Sequence, residues 1–403
     1  MERGLRMIIS EDLLLEIKQE LREHHAEEFQ EAFANLETRE VLKKIIAAKH
    51  GSILDDEGKL ESVVRELVGL GFVEELIDDK RVTDIGFDGT KLIVEGNGIE
   101  KYLDDSISED VVLKLIAKFS NSTGKEISSK NPILNTSRNF MRLNAVHKQN
   151  APSGTTMAIR VSRPYMALNE ENFENFAPLE VLDFLKAAVK GRSNMVIAGE
   201  TGAGKTEFQK LLMSYVPFKE RMAVIESTID IYAKELWPDK DIFSWLATEG
   251  VSIEELIAYA GLRSHPVWII VGEILGKEVY QMLQGILTGH RFMTTAHAYD
   301  ARAIPKRLLG MAKSGYEVDD KMFLDDIYSY VHFGIHLKKI NGRRFLGEIV
   351  EFHGDHTATT VFKQRMKKDG TLEVTYGELS KDFFERIHEL GSDFEGFKRD
   401  EEA

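Results

Sequence analysis

One octapeptide combines the residue types and the spacing of a phosphate-binding loop. The segment fits the pattern G-x-x-x-x-G-K-[ST] and consists of Gly199, Glu200, Thr201, Gly202, Ala203, Gly204, Lys205 and Thr206. Glycines allow successive backbone N–H groups to turn towards one phosphate, and the helix that follows adds the positive end of its dipole. In this pattern the lysine approaches the β and γ oxygens, and the final hydroxyl holds Mg²⁺. The segment therefore predicts that the chain binds a nucleoside triphosphate.

Two later segments each end in a carboxylate. The segments 221–226 and 268–273 are largely apolar and end at Glu226 and Glu273. Because ligands of open parallel sheets bind outside the carboxyl ends of the strands, both acids are expected at the same edge as the loop. One acid could contact Mg²⁺, and the other could orient or deprotonate an attacking water. Either acid alone could equally be an ordinary surface residue.

Two histidines flank a Thr pair near the end of a short apolar run further along the chain. His290 precedes residues 291–296 and His297 follows them. As neutral donors or as imidazolium ions, both could sense a γ-phosphate. Helix capping, core packing and metal ligation are the alternatives. Metal ligation is disfavoured, because the sequence nearby offers no obvious third ligand.

The composition excludes several classes of function. The 403 residues include 52 Lys and Arg, 67 Asp and Glu, and no Cys, which gives a net charge of −15. This charge disfavours nonspecific binding to a nucleic-acid backbone or an anionic bilayer. The lack of Cys excludes disulfides, a thiolate nucleophile and a Cys-based zinc site. Residues 1–6 do not resemble a signal peptide, and no apolar run approaches the ~20 residues of a membrane span. We therefore expect a cytoplasmic protein that reaches a membrane only through partners.

The hydrophobic pattern predicts four consecutive regions. Residues 1–70 form a helical N-terminal region, with apolar residues at helical spacing between charged ones. Residues 71–163 form a mixed α+β domain, because short β-type runs alternate with turn dipeptides and one helix. Residues 164–178, rich in Asn and Glu, are predicted to be a linker. In residues 179–403, helices alternate with buried strands, a pattern typical of a nucleotide-binding domain with a parallel sheet.

The ordered set of motifs resembles one family. The loop 199–206, the segment 224–230, the segments 262–263 and 268–273, and the segment 288–298 are similar to the Walker A, Asp box, Walker B and His box of the secretion ATPase superfamily. Within it the chain looks most like the CpaF and VirB11 type, the motor subunits of Tad pili and of type IV secretion or conjugation machines. The resemblance extends from about residue 60 to residue 352. The four boxes in this order are far more specific than any one of them.

This resemblance implies a fold, a mechanism and partners. Family members are ring-shaped hexamers in which ATP lies between an N-terminal α+β domain and a RecA-like C-terminal domain. The chain would therefore be an ATPase whose domain motions, driven by ATP hydrolysis, power pilus assembly or type IV secretion. Its partners would be inner-membrane platform or secretion-channel proteins, which would hold it at the inner face of the cell membrane. No sequence-specific binding of nucleic acid is expected.

The resemblance also assigns roles to individual residues. It gives phosphate binding to residues 199–206, Mg²⁺ binding to Thr206 and Glu273, catalysis to Glu226, and the His-box positions to His290 and His297. Arg142, Arg160 and Arg263 take the places of arginines that approach the phosphates of the nucleotide. A guanidinium in such a place offsets the charge that develops on the γ-phosphoryl group.

Several positions depart from the family pattern and leave alternatives open. Ser227 and Val267 replace acidic residues, Leu275 replaces an arginine after the Walker B glutamate, and Arg291 and Phe292 replace a small segment of the His box. These departures would suit a regulatory scaffold that binds ATP with little turnover. A RecA-like motor that translocates DNA is a second alternative, which the acidic composition disfavours.

Overall fold

The computed structural model describes residues 10–32, 36–96, 98–138 and 140–397. The chain forms two compact units, Met1–Ser162 and Arg163–Ala403. Residues 1–6, discussed above for a signal peptide, lie outside the described part of the chain. Within the described ranges, no helix is both long enough and apolar enough to cross a membrane.

The first unit contains a group of helices followed by a small sheet. Its helices are α1 (Glu11–His24), α2 (Ala26–Glu31), α3 (Leu36–His50), α4 (Glu57–Val68), α5 (Phe72–Asp78) and α6 (Glu109–Thr123). Its strands are β1 (Val82–Phe87), β2 (Leu92–Gly96), β3 (Ile99–Asp104), β4 (Ile133–Arg138), β5 (Met141–Val146) and β6 (Thr156–Val161). The six strands form one antiparallel sheet in the order β3-β2-β1-β6-β5-β4.

The helices α1 to α4 form their own core. The apolar positions that recur at helical spacing in the sequence, such as Ile17, Leu21, Leu42 and Ile46, are buried in one cluster. Polar side chains fix where the helices begin, since the Ser10 hydroxyl caps α1 and a carboxylate caps α4. A separate cluster fills the space between α5, α6 and the six-stranded sheet.

The second unit contains a larger sheet with helices between its strands. Its helices are α7 (Leu179–Lys190), α8 (Lys205–Ser214), α9 (Ala233–Leu236), α10 (Ile253–Glu255), α11 (Val279–Leu287), α12 (Ile304–Ala312), α13 (Asp320–Tyr330) and α14 (Lys381–Glu389). Its strands are β7 (Met195–Gly199), β8 (Met222–Glu226), β9 (Ile242–Leu246), β10 (Trp268–Ile274), β11 (Arg291–Ala296), β12 (Phe333–Ile340), β13 (Arg343–Phe352), β14 (Ala358–Met366) and β15 (Leu372–Tyr376).

These strands form a nine-stranded sheet in the order β15-β14-β13-β12-β7-β11-β10-β8-β9. The strands from β12 to β9 in this order are parallel, and β13, β14 and β15 extend the sheet in antiparallel fashion. Both faces are covered, because Met195 and Ile197 of β7 belong to one apolar cluster and Val196 and Ala198 to another. We call the edge where the parallel strands begin the amino edge, and the edge where they end the carboxyl edge.

The segment 164–178 differs from the predicted linker, because it packs into the second unit. It contains a 3-10 helix at Glu170–Asn175 that begins with a capping box. Phe173 is fully buried, its ring lies 6.0 Å from the ring of Phe176, and Phe176 lies 5.8 Å from Phe208 of α8. The linker prediction rested on the Asn and Glu content. The segment packs nevertheless, because burial of its two aromatic rings removes a large apolar area from water and stabilises the packed conformation.

Candidate functional site

The octapeptide 199–206 connects the central strand β7 to helix α8. Gly202 and Gly204 have φ angles of 76° and 96°, a region that side chains with a Cβ rarely adopt. A Cβ on Gly199 would meet the carbonyl oxygen of Leu337 at 2.8 Å, so the neighbouring strand β12 also requires glycine there. Lys205 Nζ donates to the carbonyl oxygens of Gly199 at 3.1 Å and of Glu200 at 3.3 Å. The loop therefore curls so that its lysine ammonium lies against its own backbone.

The hairpin of β12 and β13 brings two further basic residues to this loop. Arg344 Nε donates to the carbonyl oxygen of Gly202 at 2.7 Å. A Cβ on Gly202 would lie 3.7 Å from Lys339 Nζ, and the backbone N–H of Lys339 donates to a carboxylate oxygen of Glu200 at 3.2 Å. Both residues lie outside the four sequence motifs, so no role was predicted for either. The Asn-Gly turn between two β-type runs was the signal that could have indicated a hairpin with basic ends.

The residues around the loop fit the phosphates of a nucleotide. The glycine backbone leaves room where side chains would intrude, and α8 begins at Lys205, so its first N–H groups and its dipole favour an anion. Lys205, Lys339 and Arg344 supply positive charge. Thr206, the second residue of α8, and Glu273 are the residues that would hold Mg²⁺.

Glu226 ends β8 and is almost fully buried, with 4% of its surface exposed. Its Oε1 accepts hydrogen bonds from the backbone N–H groups of Asp230 at 2.8 Å and Ile231 at 2.9 Å, which fix the carboxylate in one orientation. A Cβ on Gly272 would lie 3.3 Å from Glu226 Cγ, so the side chain lies against the backbone of β10 just before Glu273. Burial raises the pKa of Glu226 to about 7, although the two N–H groups oppose this shift.

Glu273 and His297 form a second polar group at the carboxyl edge. His297 Nε2 lies 3.0 Å from Glu273 Oε1, and both side chains are partly exposed. The two residues come from adjacent strands, since Glu273 is near the end of β10 and His297 follows β11. Thr295 Oγ1 donates to the carbonyl oxygen of Gly272 at 2.8 Å and holds the two strand ends together.

One predicted loop and three predicted side chains therefore lie at the carboxyl edge, on consecutive strands. In the sheet order β7-β11-β10-β8, the strands end at the phosphate-binding loop, His297, Glu273 and Glu226. Neighbouring strands are ~4.8 Å apart, so these groups follow one another along one edge. Such an arrangement can bind a nucleotide and place two carboxylates beside its terminal phosphate.

His290 and Arg263 lie elsewhere, at the amino edge of the sheet. His290 precedes β11, and its Nδ1 donates to the carbonyl oxygen of Pro266, which precedes β10, at 2.9 Å. Arg263 ends a 3-10 turn before β10, and the carbonyl oxygen of the next residue accepts from Arg221 at 2.9 Å. Since β10 and β11 separate these groups from the loop, the second unit does not bring them to its own phosphate site.

Arg142 and Arg160 belong to the first unit. They face each other as directly paired residues on the neighbouring antiparallel strands β5 and β6. The same register pairs Arg160 with Asp84 of β1. The sheet therefore places the two predicted arginines next to each other, with Asp84 directly opposite Arg160 on its other side.

Gln209, which belongs to none of the sequence motifs, connects the loop helix to β10 and β11. Its fully buried amide donates to the carbonyl oxygens of Val271 in β10 at 3.0 Å and Met293 in β11 at 3.3 Å. Glu207 on the same helix connects α8 to the segment 164–178 and is paired with Lys210. Glu207 Oε1 accepts from Lys210 Nζ at 2.8 Å, and Glu207 Oε2 accepts from the backbone N–H of Ala167 at 2.7 Å.

Sequence comparisons find similarity to secretion system proteins. A family model described as "Type II/IV secretion system protein" matches residues 134–328. An uncharacterized protein of Bacillus anthracis is 40% identical over 402 residues, which span 94% of this chain and 90% of that protein. Protein VirB11 of Agrobacterium fabrum is 31% identical over 147 residues, or 35% of this chain and 43% of that protein.

A solved structure shares the fold. The crystal structure of the pilus retraction motor PilT with bound ADP matches 80% of this chain and 86% of its own chain, with a TM-score of 0.51 and 19% identity. At this identity the similarity shows the fold alone. It confirms the predicted α/β class with a RecA-like core in the second unit.

Proposed function

We propose that this chain, which belongs to the type II/type IV secretion ATPase superfamily, hydrolyses ATP at the carboxyl edge of its nine-stranded sheet and thereby powers secretion or pilus assembly. The observation that carries the proposal is the succession of the phosphate-binding loop, His297, Glu273 and Glu226 on four consecutive strands.

The loop and its lysine bind the phosphates. Lys205 exchanges its two backbone acceptors for β and γ oxygens, which are stronger partners because they are charged. Thr206 and Glu273 would hold Mg²⁺, which would neutralise charge on the phosphates. The hydrogen bond to His297 orients the Glu273 carboxylate.

Glu226 acts on the attacking water. The Asp230 and Ile231 N–H groups both bind Oε1, so Oε2 is the oxygen that accepts the proton of the water. A base works best when its pKa is close to the operating pH, and burial gives Glu226 a pKa of about 7. Because the Glu226 carboxylate is present and held in one orientation, we favour a chain that hydrolyses ATP over a scaffold that binds ATP with little turnover.

The remaining predicted residues act in an assembly of several copies of the chain. We propose a homo-hexamer in which Arg142 and Arg160 of the first unit approach a nucleotide. Arg263 and His290, at the amino edge, serve in this proposal only at the site of a neighbouring copy. Hexamer formation is expected to require ATP or a nonhydrolysable analogue with Mg²⁺, and light scattering measures it. A strict monomer at high protein and nucleotide concentration would contradict the ring.

The substitution Lys205→Ala tests the core of the proposal. It should abolish ATPase activity and leave the fold intact, because the lysine points to ligand and backbone and not into the core. Far-UV circular dichroism and thermal unfolding control for folding. Turnover at the level of the unmodified chain would reject the phosphate-binding assignment.

The biological setting is proposed from the family. We place the chain at the inner face of the cell membrane, held there by platform or channel proteins. Adding DNA to the ATPase assay at several salt concentrations separates this function from a DNA-translocating motor, for which DNA would stimulate turnover. Neighbouring genes for pilins and a prepilin peptidase would indicate a pilus, whereas genes for a relaxase and a coupling protein would indicate conjugation.

A further inference from the structure

Three arginines meet at the amino edge of the nine-stranded sheet, away from the phosphate-binding loop. Arg192 lies in the turn before β7, Arg291 is the first residue of β11, and Arg386 lies on α14. We call these three residues the arginine cluster. They come from distant parts of the chain, so the fold and not a local sequence motif brings them together.

Ser193 contacts one arginine of the cluster and is a neighbour of the other two in the chain or in the sheet register. Arg386 Nη2 donates to the buried Ser193 hydroxyl at 3.2 Å. The pairing of β11 with β7 begins at Met293 and Met195, so Arg291 starts its strand opposite Ser193. Arg192 directly precedes Ser193 in the chain.

One guanidinium of the cluster is balanced by an acid. Arg192 Nε donates to Glu220 Oε1 at 2.8 Å, and Glu220 Oε2 accepts from the indole N–H of Trp268 at 2.8 Å. Both oxygens of this carboxylate are therefore engaged. Arg291 makes no side-chain hydrogen bond and no ion pair with any described residue.

Among the described residues, the third guanidinium contacts the ring of Phe383 at 5.7 Å and hydrogen-bonds only to a hydroxyl. Arg386 Nε is buried and has no hydrogen-bond partner in the described part of the chain. The carboxylate of Glu351 is near Arg386, but Ser380 holds both of its oxygens, through its N–H at 2.9 Å and its hydroxyl at 2.6 Å. Arg291 and Arg386 thus lie close to each other without a carboxylate bound to either.

The surroundings disfavour these charges in the absence of an anion. Burial lowers the pKa of Arg291 and of Arg386, and the positive charge of a neighbouring arginine of the cluster acts in the same direction. Nearby acids oppose this lowering without reversing it, Glu220 at Arg291 and Glu351 and Asp382 at Arg386. The pKa of His332 lies well below its usual value because of burial and the same two arginines. His332 Nδ1 accepts from the Asn194 N–H at 2.8 Å, so this ring stays neutral and carries its proton on Nε2. Half-buried charges that no carboxylate contacts cost free energy.

We propose that the arginine cluster is a binding site for a phosphate-type oxyanion. Planar guanidinium forks match the oxygens of such an anion, and its tetrahedral oxygens can accept from several forks at once. The site is separate from the phosphate-binding loop, since the six residues of β11 span ~20 Å between the two edges. It gives Arg291, one of the departures from the family pattern, a role that ATP hydrolysis does not require.

Inorganic phosphate is the probe for the test. The full chain carrying Lys205→Ala serves as the parent, so that phosphate binding at the loop does not interfere. Sodium phosphate is titrated at constant ionic strength and followed by calorimetry. We expect one saturable binding event that Arg291→Gln and Arg386→Gln each weaken about tenfold or more, as the loss of a charge-assisted hydrogen bond implies. Arg221→Gln is the matched control, because Arg221 lies at the same edge but is paired with Asp241 at 2.9 Å. It should retain the affinity of the parent.

Thermal unfolding separates binding from a purely structural role. In phosphate-free buffer, Arg291→Gln should be at least as stable as the parent, because it removes a half-buried charge that no carboxylate contacts. At saturating phosphate the parent should become the more stable of the two. Lack of saturable binding, or equal affinity in all variants, would overturn the site. An equal loss of stability with and without phosphate would also overturn it. Acetate should bind more weakly, and acetate binding as tight as phosphate binding would overturn the assignment to phosphate.

Discussion

His290 and His297 lie at opposite edges of the nine-stranded sheet, because the six residues of β11 separate them. His290 Nδ1 is bound to the carbonyl oxygen of Pro266 at the amino edge, whereas His297 Nε2 is bound to Glu273 at the carboxyl edge. An extended chain rises ~3.3 Å per residue, so ~23 Å separates the two histidines. They cannot contact the same phosphate group within one chain.

Substitution of the two histidines should therefore have different effects. In dilute protein, His297→Ala should weaken Mg²⁺-ATP binding about tenfold, because Glu273 loses the hydrogen-bond partner that orients it. His290→Ala should leave that affinity unchanged. Equilibrium titration with a fluorescent ATP analogue measures both. A loss in dilute His290→Ala as large as in His297→Ala would contradict the placement at opposite edges, whereas a loss confined to the assembled protein would agree with a role for His290 at a neighbouring copy.

The buried carboxylate of Glu226 should make stability depend on pH. Its pKa is about 7 in the folded chain against 4.5 in the unfolded one. The folded state therefore binds the proton more tightly than the unfolded state does. The resulting contribution of Glu226 to the free energy of unfolding is complete below pH 4.5 and is lost as pH rises through 7. Relative to Glu226→Gln, the free energy of unfolding of the nucleotide-free chain should fall by up to about 3 kcal/mol across this window. Urea unfolding at pH 4.5, 6 and 7.5 measures the difference. A difference that stays constant with pH would contradict the raised pKa.

The pH dependence of turnover should follow the same group. The ionised form of Glu226 is the base, so kcat/KM for ATP should rise with pH and level off above about pH 7. Steady-state assays between pH 5.5 and 8.5 test this. Lys205→Ala supplies the background at each pH. A profile that falls over this range would show that the protonated form is the active one.

The two carboxylates of the site should differ in their dependence on metal. Glu226→Gln should bind ATP and Mg²⁺ nearly as the unmodified chain does and hydrolyse slowly, because the amide keeps the shape but cannot accept a proton. Glu273→Gln should weaken Mg²⁺-dependent ATP binding as well as turnover, because Glu273 is the more exposed acid and is placed to hold the ion. Titration of Mg²⁺ against ATP affinity decides between them. A larger metal defect in Glu226→Gln would reverse the two roles.

Much of the carboxyl edge could be predicted because its signals are local. A glycine-rich loop before a helix and an acid at the end of an apolar strand each occupy a few consecutive residues. The arginine cluster and Gln209 depend on contacts between distant segments, which no local pattern encodes. The position of His290 could not be predicted either, because its place in a motif does not reveal that strand β11 separates it from the loop.

Phe173 should be essential to the stability of the second unit, although the composition of its segment predicted a linker. Its ring is fully buried and contacts Phe176, which packs on Phe208 of the loop helix. Phe173→Ala would leave a cavity and should lower the free energy of unfolding by about 3–5 kcal/mol. Leu179→Ala is the control, because Leu179 is 45% exposed and its loss should cost about 0.5 kcal/mol or less. Chemical denaturation of both variants measures the difference. A loss below about 1 kcal/mol in Phe173→Ala would favour a linker after all, since a residue in a loosely packed segment leaves no cavity when it is truncated.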